Sequence, residues 1–559
     1  MSFRLNQRVA FMLLATAFLS ITRRAHAADM FWSNSRGDGS GAFSSATNWS
    51  GGTPANPAPP NADDVAHFGM TELNVFPPKT YTVTFASDVT NDGIMVEDDR
   101  VTFAVNGRTF STTGDFDNKI GTVAGQLGAL TISNGTWNCI GVFDQVMVGA
   151  AASSSGVLTV STGGRFTGQI VLSLGAVASG AGTLNVQNGG SVSTHRIAVG
   201  DDGPGAMNIS SGGTVHSETV TNPSTRIGGI SPAASGTVNV DGAGSAFTLA
   251  GDLLVAGDGQ TGVLNIPAGG MVQSRKGIIL GRGTVTVSGA DSRWTNTDVV
   301  NVGGLNTGQP ALLRLIDGAQ MQATNTIVSA IGQVHGAGTI TGSLDNSGIV
   351  APGNSAGRLD ITGNYTQSAG ARLQIEIGGL TGGTQHDIMD AAGTAALGGR
   401  LELALLNGFA PTSANTFTIL EASTVTGAFS NVASGQRLTT SDGLGSFRVN
   451  YGSGSPFSPS QVVLSAFQSS IVGDFDVDGD VDGRDFLVWQ RGGSPNPLST
   501  GDLALWRANF GAPSIAAGAA VPEPNAAWLA AAVVLFGPSL RAPMLPAPAH
   551  RRFRFLRPY

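Results

Sequence analysis

The chain has 559 residues and is rich in glycine, with 80 Gly, 41% hydrophobic residues and only 12% charged residues. This composition excludes a disordered chain, and it favours many short strands joined by tight turns in one elongated repeat structure. The net charge is −8 and no basic stripe runs through the body, so we expect no nucleic-acid partner.

The first 27 residues have the pattern of a secretory signal peptide. Arg4 and Arg8 precede an apolar stretch, residues 9–19, which is too short to span a membrane stably. Ala25-His26-Ala27 then gives the small-x-small pattern of a cleavage site. We therefore expect an exported protein that loses residues 1–27. The alternative is an uncleaved anchor.

Residues 28–79 are predicted to form an N-terminal cap. Phe31, Trp32 and Trp49 lie close together in the sequence and predict an aromatic lid over the first coil of a stack. Such a lid is needed because an open sheet end invites edge pairing. The alternative is an aromatic surface that binds sugars.

From residue 80 to residue 380 the chain repeats a unit of the form Gly-x-Leu-x-Ile/Val. The units start at Gly156, Gly182, Gly205, Gly236, Gly262 and Gly283, which are spaced 26, 23, 31, 26 and 21 residues apart. A period in the twenties, made of short alternating strands, is typical of a β-solenoid. We predict an all-β fold, a right-handed parallel β-solenoid (β-helix), over residues 80–380, followed by a C-terminal β cap over 381–468.

Alternation within each unit sorts its side chains between two faces. Leu158 and Val160 should point into the core, while Thr159 points outward. The Gly-Gly pairs that follow permit sharp corners. One outward position is repeatedly asparagine and is predicted to face solvent or to aid a turn. These residues are Asn185, Asn208, Asn239 and Asn265.

The cysteine Cys139 has no second cysteine with which to form an internal disulfide. In an exported protein we expect it to be a small buried hydrophobic residue rather than a reactive thiol.

The later repeats, from the Gly336–Gly342 run through the Ala351-Pro352-Gly353 segment to Phe429, resemble the β-helical passenger regions of bacterial autotransporters. The resemblance covers roughly residues 30–468. It implies an elongated surface stalk, often adhesive. The translocator barrel of those proteins does not follow in the sequence.

The body contains no recognisable catalytic pattern. We expect no carboxylate pair on adjacent coils with a basic partner, as a hydrolase or lyase would need. The scattered acidic residues are Asp201, Asp202, Asp291, Asp298 and Glu376. His386, Asp387 and Asp390 could form a metal or acid-base group, but we interpret them as the opening of a strand. The sequence leaves catalysis open and favours a non-catalytic body.

Twelve residues, 474–485, carry carboxylates at loop positions 1, 3, 5, 7, 9 and 12, with Gly479 at position 6. This is the spacing of an EF-hand calcium loop, in which a hard cation takes several oxygens from one tight turn. The predicted ligands are Asp474, Asp476, Asp478 and Asp485, the backbone carbonyl of Asp480, and Asp482 through water. The alternative is an acidic linker turn.

Residues 471–512 resemble a type I dockerin. The resemblance rests on two features. Position 12 of the loop is aspartate instead of glutamate, and a second predicted helix repeats the pattern of the first helix at an offset of 17 residues, so that Trp506 corresponds to Trp489. The resemblance implies calcium binding and a cohesin-type partner. Because residues 491–501 carry no carboxylate, we expect one calcium site. A purely stabilising calcium hinge is the alternative.

Residues 521–559 resemble the PEP-CTERM sorting signal. Pro522, Glu523 and Pro524 precede an apolar stretch, residues 526–540, and a basic tail. The resemblance implies an exosortase-like partner, transient membrane contact and delivery to the cell surface or extracellular matrix. A plain membrane anchor is the alternative. The whole sequence thus predicts a structural or adhesive surface protein that contacts polysaccharide or surface glycan. A polysaccharide-degrading enzyme recruited through the dockerin-like module, and a pure spacer, are the alternatives.

Overall fold

The computed structural model describes residues 28–33, 39–51, 58–69, 78–114, 118–141, 145–220, 225–229, 231–257, 260–304, 308–353, 355–469, 471–476 and 480–512. The predicted signal peptide, the sorting signal with Pro522, Glu523 and Pro524, and the predicted ligand Asp478 lie outside these residues.

The described residues form 41 strands in one hydrogen-bonded sheet and two α-helices. The strands of the first part are β1 (Asp29–Trp32), β2 (Gly41–Ala42), β3 (Trp49–Gly51), β4 (Val65–Phe68), β5 (Thr80–Thr84), β6 (Val89–Asn91), β7 (Gly93–Val96), β8 (Arg100–Ala104), β9 (Thr109–Thr112), β10 (Asn118–Ile120), β11 (Leu127–Ser133), β12 (Thr136–Cys139), β13 (Gln145–Val148) and β14 (Ser155–Ser161).

The strands of the middle part are β15 (Arg165–Leu174), β16 (Ala181–Val186), β17 (Ser191–Val199), β18 (Pro204–Ser210), β19 (Thr214–Ser217), β20 (Thr225–Ile227), β21 (Ser235–Asp241), β22 (Ala246–Leu249), β23 (Leu253–Val255), β24 (Thr261–Pro267), β25 (Met271–Ser274), β26 (Gly277–Ile279), β27 (Gly283–Ser288), β28 (Arg293–Asn296) and β29 (Val300–Val302).

The last part contains β30 (Ala311–Val328), β31 (Gly332–Asn346), β32 (Ile349–Pro352), β33 (Arg358–Ile361), β34 (Tyr365–Gln367), β35 (Arg372–Ile377), β36 (Ile388–Leu397), β37 (Arg400–Leu405), β38 (Phe417–Gly427), β39 (Arg437–Thr439), β40 (Gly445–Asn450) and β41 (Gln461–Ser469). The helices are α1 (Gly483–Gln490) and α2 (Thr500–Asn509).

The strands stack in three parallel ladders, so that successive coils of the chain lie on one another in a solenoid-like fold. The first ladder includes β5, β8, β11, β14, β16, β18, β21, β24, β27 and the first part of β30. The second includes β9, β12, β15, β17, β19, β22, β25 and β28. The third starts at β1 and continues through β4, β7, β10, β13, the second part of β15, the second part of β17, β20, β23, β26 and β29.

Period-2 alternation explains why these coils close around a core. In β14 and β16 the inward residues Leu158, Val160, Leu184 and Val186 are fully buried, while Thr159 between them is half-buried and faces outward. In-register pairing places equivalent aliphatic side chains above one another, for example Leu158 on Leu184. This stacking produces one continuous hydrophobic core along the coils.

The Gly-Gly pairs predicted at corners serve two different purposes. Gly189 has a backbone φ of +72°, which glycine adopts without steric cost. Gly190 instead lies so close to the preceding coil that a Cβ atom would fall 2.2 Å from the carbonyl oxygen of Val160. The first glycine turns the chain, and the second lets two coils approach.

The repeated outward asparagines hydrogen-bond to one another. Asn208 donates to Asn185 at 3.0 Å, Asn239 donates to Asn208 at 2.9 Å, and Asn265 donates to Asn239 at 2.9 Å. Their side chains are half-buried. The predicted outward position is thus correct, and the hydrogen-bonded row is an addition that the sequence did not reveal, because in-register stacking brings each amide within reach of the next.

Aromatic side chains fill the core at the N-terminal end. Trp32 and Trp49 are 1% and 2% exposed. Their ring nitrogens donate to the carbonyl oxygens of Gly39 at 3.0 Å and Phe43 at 2.7 Å. Their rings meet edge to face at 5.0 Å. Because both rings are covered, they are unsuited to stacking against a sugar. Cys139 is likewise buried, at 2% exposure.

At the other end of the sheet the pairing becomes antiparallel. β38 pairs with β41 and β40 pairs with both β39 and β41. The two helices follow this hairpin region in the chain. No described helix is long and apolar enough to cross a membrane.

Candidate functional site

The acidic loop leads directly into helix α1. Asp482 is the N-cap residue of α1, and its carboxylate accepts from the backbone N–H of Arg484 at 2.6 Å. Asp485 lies in the first turn and its side chain reaches back to the N-cap backbone, which completes a capping box. Local capping therefore fixes the last turn of the loop.

Asp485 also closes the loop from its other end. The carboxylate is fully buried. It accepts from the backbone N–H groups of Phe475 at 2.5 Å, Asp476 at 3.1 Å and Asp482 at 2.7 Å. One side chain thus joins the start of the loop to the start of the helix.

The carboxylates of the loop converge on Asp485. Ligand oxygens of Asp474, Asp476 and Asp485 all lie within 4.8 Å of one another, and so do those of Asp480, Asp482 and Asp485. The structure therefore places the other four described ligand candidates in two groups of three that share Asp485. An all-oxygen set of this kind could hold a hard divalent cation.

The second loop, residues 491–502, is built without further carboxylates. Asp502 is 3% exposed. It accepts from the backbone N–H of Asn496 at 2.7 Å and from the Asn496 side chain at 3.1 Å. These hydrogen bonds, led by the backbone N–H of Asn496, hold the pKa of Asp502 below its ordinary value of 3.8. Ser499 caps helix α2 by accepting from the N–H of Asp502.

The two helices are tied to each other by a reciprocal pair of hydrogen bonds. The ring nitrogen of Trp489 on α1 donates to the carbonyl oxygen of Ser499, the N-cap of α2, at 2.9 Å. The ring nitrogen of Trp506 on α2 donates to the carbonyl oxygen of Asp482, the N-cap of α1, at 2.7 Å. Each tryptophan thus holds the loop end of the other repeat. In the sequence, the repeat of Trp489 at Trp506 was the only indication of these reciprocal hydrogen bonds.

Apolar side chains remain exposed on this helical pair. Phe486 packs against the rings of Trp489 and Trp506, with centroids 5.6 and 4.9 Å apart. Leu487 and Leu505 on the helices are 45% and 44% exposed, and Leu498 between the helices is 59% exposed. A partner could cover such residues.

The body contains a group of charged residues that the sequence prediction missed. Asp360, Asp390 and Glu421 stand in register on β33, β36 and β38. Arg358 bonds to Asp360 at 2.7 Å and also to Asp390, and it lies 4.0 Å from Glu421. The expectation that no carboxylates share adjacent coils with a basic partner was wrong. The residues are 30 and 31 positions apart, a spacing hidden by the unequal coil lengths.

His386 and Asp387 do not join that group. The backbone N–H groups of Gly357 and Glu376 each donate to Asp387 at 2.8 Å. Burial raises the pKa of Asp387 to about 8, although these two hydrogen bonds oppose the shift. The ring of His386 is buried and lies 3.2 Å from the carbonyl oxygen of Gly379. Asp390 points to the outer face instead, so the three residues do not form one site.

A shallow surface groove of ≈ 560 Å³ lies where β30 and β31 turn between the second and third ladders. Its described lining contains no charged side chain. The polar lining residues are Asn296, Thr297, Gln322, Thr324, Thr341, Ser343 and Thr362. Hydroxyl and amide groups both donate and accept hydrogen bonds, as sugar hydroxyls do.

Comparison with protein-family models and with curated proteins found no match for this chain. Three features of the described residues are candidates for function: the helical module, the row formed by Arg358, Asp360, Asp390 and Glu421 (the charged row), and the uncharged groove beside β30 and β31 (the neutral groove).

Proposed function

We propose that the chain is an exported, non-catalytic β-solenoid of the cell surface or extracellular matrix, with right-handed coils and a dockerin-like module that binds one calcium ion. In this proposal residues 1–27 direct export, and residues 521–559 pass the protein to an exosortase-like enzyme after transient membrane contact. The observation that supports the module most directly is the convergence of Asp474, Asp476 and Asp485 within 4.8 Å.

The chemistry of the loop favours calcium over softer metals. The candidate ligands are carboxylate and carbonyl oxygens, with no histidine or cysteine among residues 474–485. Calcium tolerates six to eight oxygens in flexible geometry, whereas magnesium demands a near-ideal octahedron. Asp474, Asp476 and Asp478 would bind directly, Asp480 through its backbone carbonyl, Asp482 through water, and Asp485 from the end of the loop.

Calorimetric titration of the full chain with calcium tests this assignment. We expect one site, and we expect Asp474→Ala to abolish it because one anionic ligand is lost. Asp241→Ala is the matched control, since Asp241 is an exposed aspartate at the end of β21. Absence of binding in the unaltered chain would reduce the loop to an acidic linker, and equal loss in the control would contradict a localised site.

Docking through the helices is the second part of the proposal. The exposed Leu487 and Leu505 lie on α1 and α2, as a cohesin-type partner would require. Calcium-dependent capture of a purified cohesin module, weakened in Leu505→Glu, would support it. A calcium site without any such partner would instead favour the stabilising hinge.

The neutral groove suits contact with polysaccharide or surface glycan. Its hydroxyl and amide lining matches an uncharged sugar chain better than an ionic ligand. Binding of soluble neutral oligosaccharides, with Thr324→Arg as the blocking variant, would test this contact. Binding that is unchanged in the variant would place the glycan elsewhere.

The charged row supports a second candidate function, polysaccharide degradation. Neighbouring strands lie about 4.8 Å apart, so carboxylates on adjacent coils approach the separation of about 5–5.5 Å found in retaining glycosidases. Asp390 has a raised pKa, first through burial and then through the charges of Asp360 and Glu421, against the opposing effect of Arg358. A carboxyl group with a raised pKa suits a general acid.

Release of reducing ends or unsaturated sugars from a panel of polysaccharides tests this candidate. Activity that falls by about a hundredfold or more in Asp390→Asn would establish it. Asp241→Asn, at a distant exposed aspartate, is the matched control. Activity that is unaffected by Asp390→Asn, or absent on every polysaccharide, would leave the charged row as an ion-pair network between coils.

A further inference from the structure

We propose that the outer face of the first ladder between β11 and β27 is a surface through which two copies of this chain pair side by side. We call it the Thr/Asn face and define it as the outward residues of β11, β14, β16, β18, β21, β24 and β27. The inference deepens the proposed structural role at the cell surface and rests on it.

The Thr/Asn face is made of short side chains. In register along it stand Thr131, Thr159, Asn185, Asn208, Asn239 and Asn265. All six are half-buried by their neighbours on adjacent strands. A second outward row beside them is made of alanine, valine and threonine, including Ala206 and Thr237. Short side chains of this kind allow two sheets to pack closely face to face.

The face is almost free of charge in a chain whose net charge is −8. Among the outward positions of its seven strands, only Asp241, at the end of β21, is charged. Two copies repel each other wherever acidic surfaces meet, because like charges that face each other are unfavourable. A neutral face is the place where two copies can approach at the lowest electrostatic cost.

The face is also complementary to itself. Asn208, Asn239 and Asn265 each donate one amide N–H to the asparagine of the preceding coil. A side-chain amide has two N–H donors and an oxygen with two lone pairs, so each retains capacity for a further donor and acceptor bond. Threonine hydroxyls likewise both donate and accept. A twofold axis through the face would therefore set donors against acceptors without a second kind of surface.

The size of the face suffices for a dimer. Seven strands spaced by about 4.8 Å, each about 20 Å long, present about 600 Å² per copy, or about 1,200 Å² for two copies. A specific interface needs about 1,000 Å² in total. The face exceeds that value by a small margin, so we expect a reversible dimer with a dissociation constant of about 1–100 µM.

Sedimentation velocity on the full chain, from about 1 to 100 µM, measures this association. We expect the variant Ala206→Glu/Thr237→Glu to weaken dimerisation at least about tenfold, because four carboxylates then meet across the twofold axis. The matched control is Thr248→Glu/Gln273→Glu. It adds the same charge on adjacent coils of the second ladder, where Thr248 pairs with Gln273.

Salt and calcium provide two further readouts. Raising the salt concentration should strengthen the dimer, because it screens the repulsion between the acidic surfaces around a neutral contact. Dimerisation of the unaltered chain should persist when a chelator removes calcium. The Ala206→Glu/Thr237→Glu variant should bind calcium with the same isotherm as the unaltered chain. These two results separate a failure of the face from a failure of the calcium proposal.

Three outcomes would overturn the inference. A chain that stays monomeric to about 100 µM lacks the interface. Equal weakening in the control variant would show a general effect of charge. Loss of the dimer in chelator would assign association to the helical module. A folded Ala206→Glu/Thr237→Glu protein, verified by circular dichroism, is required for the comparison, and Thr159→Glu provides a second variant on the same face.

Discussion

The two loops of the helical module share one scaffold but differ in charge. Each ends in a buried aspartate in the first turn of its helix, Asp485 or Asp502, which accepts backbone N–H groups from its own loop. The second loop closes without another carboxylate, because the backbone N–H and the side-chain amide of Asn496 both donate hydrogen bonds to Asp502. The second loop therefore closes on one carboxylate, and the additional acids of the first loop are what the proposed calcium site would use.

The largest expected contrast between the loops comes from removing these closing carboxylates. Asp485→Ala should abolish calcium binding and destabilise the first loop by about 3 kcal/mol, because three part-buried backbone N–H groups lose their acceptor. Asp502→Ala should disturb only the second loop and change calcium affinity by less than about threefold. Calorimetry with near-ultraviolet circular dichroism measures both. Calcium binding lost equally in both variants would show that the loops are not independent.

The second largest expected difference between the loops is their stabilisation by added calcium. At a calcium concentration of about 100 times the dissociation constant, ligation stabilises the folded state by about 2.7 kcal/mol. Hydrogen exchange should therefore slow more in residues 480–490 than in residues 491–509 when calcium is added. A chelator should reverse the change. Identical protection in both segments would contradict a site confined to the first loop.

The exchanged tryptophan bonds allow a smaller, matched test. Trp506→Phe removes the donor to the carbonyl oxygen of Asp482 and should weaken calcium binding about fivefold, corresponding to about 1 kcal/mol. Trp489→Phe removes the donor to Ser499 and should leave calcium affinity unchanged while destabilising the module by a similar amount. Weaker calcium binding in Trp489→Phe, with unchanged binding in Trp506→Phe, would contradict this assignment of the two tryptophan hydrogen bonds.

The smallest effect concerns acid sensitivity of the second loop. Because the folded-state pKa of Asp502 is lowered, its ionised form contributes stability above the ordinary aspartate pKa, and that contribution is lost as pH falls through the lowered value. Carboxyl resonances in NMR should give a midpoint below 3.8. Asn496→Ala should raise the midpoint slightly, since only the weaker side-chain donor is lost and the backbone N–H remains. An unchanged midpoint would exclude that side chain as a cause.

The sequence predicted the stacked strands because the signal is local. Alternation around Leu158 and Val160 decides the inward face, and the glycine spacing decides the coil. The acidic loop was equally visible, since all its candidate ligands lie within twelve residues. Both features depend on short segments, and the structure brings the described residues of each together.

What the sequence did not reveal depends on register between coils. Asp360, Asp390 and Glu421 meet only because β33, β36 and β38 stack in a particular register. The hydrogen-bonded row that includes Asn208 and Asn239 depends on register in the same way. Coil lengths that vary between 21 and 31 residues conceal such alignments from a search at a fixed period. Side-chain geometry across coils therefore required the structure.

The parallel ladders also determine how the protein would respond to mechanical tension. Hydrogen bonds between coils lie along the stacking direction, so a force that pulls the two ends apart loads the bonds of one coil together. Each coil contacts mainly its neighbours, so coils would detach one after another from an end. Release of a coil of 26 residues, the spacing between Gly156 and Gly182, would lengthen the tether by about 80 Å. A solenoid of this design would lengthen in steps and absorb work before it breaks.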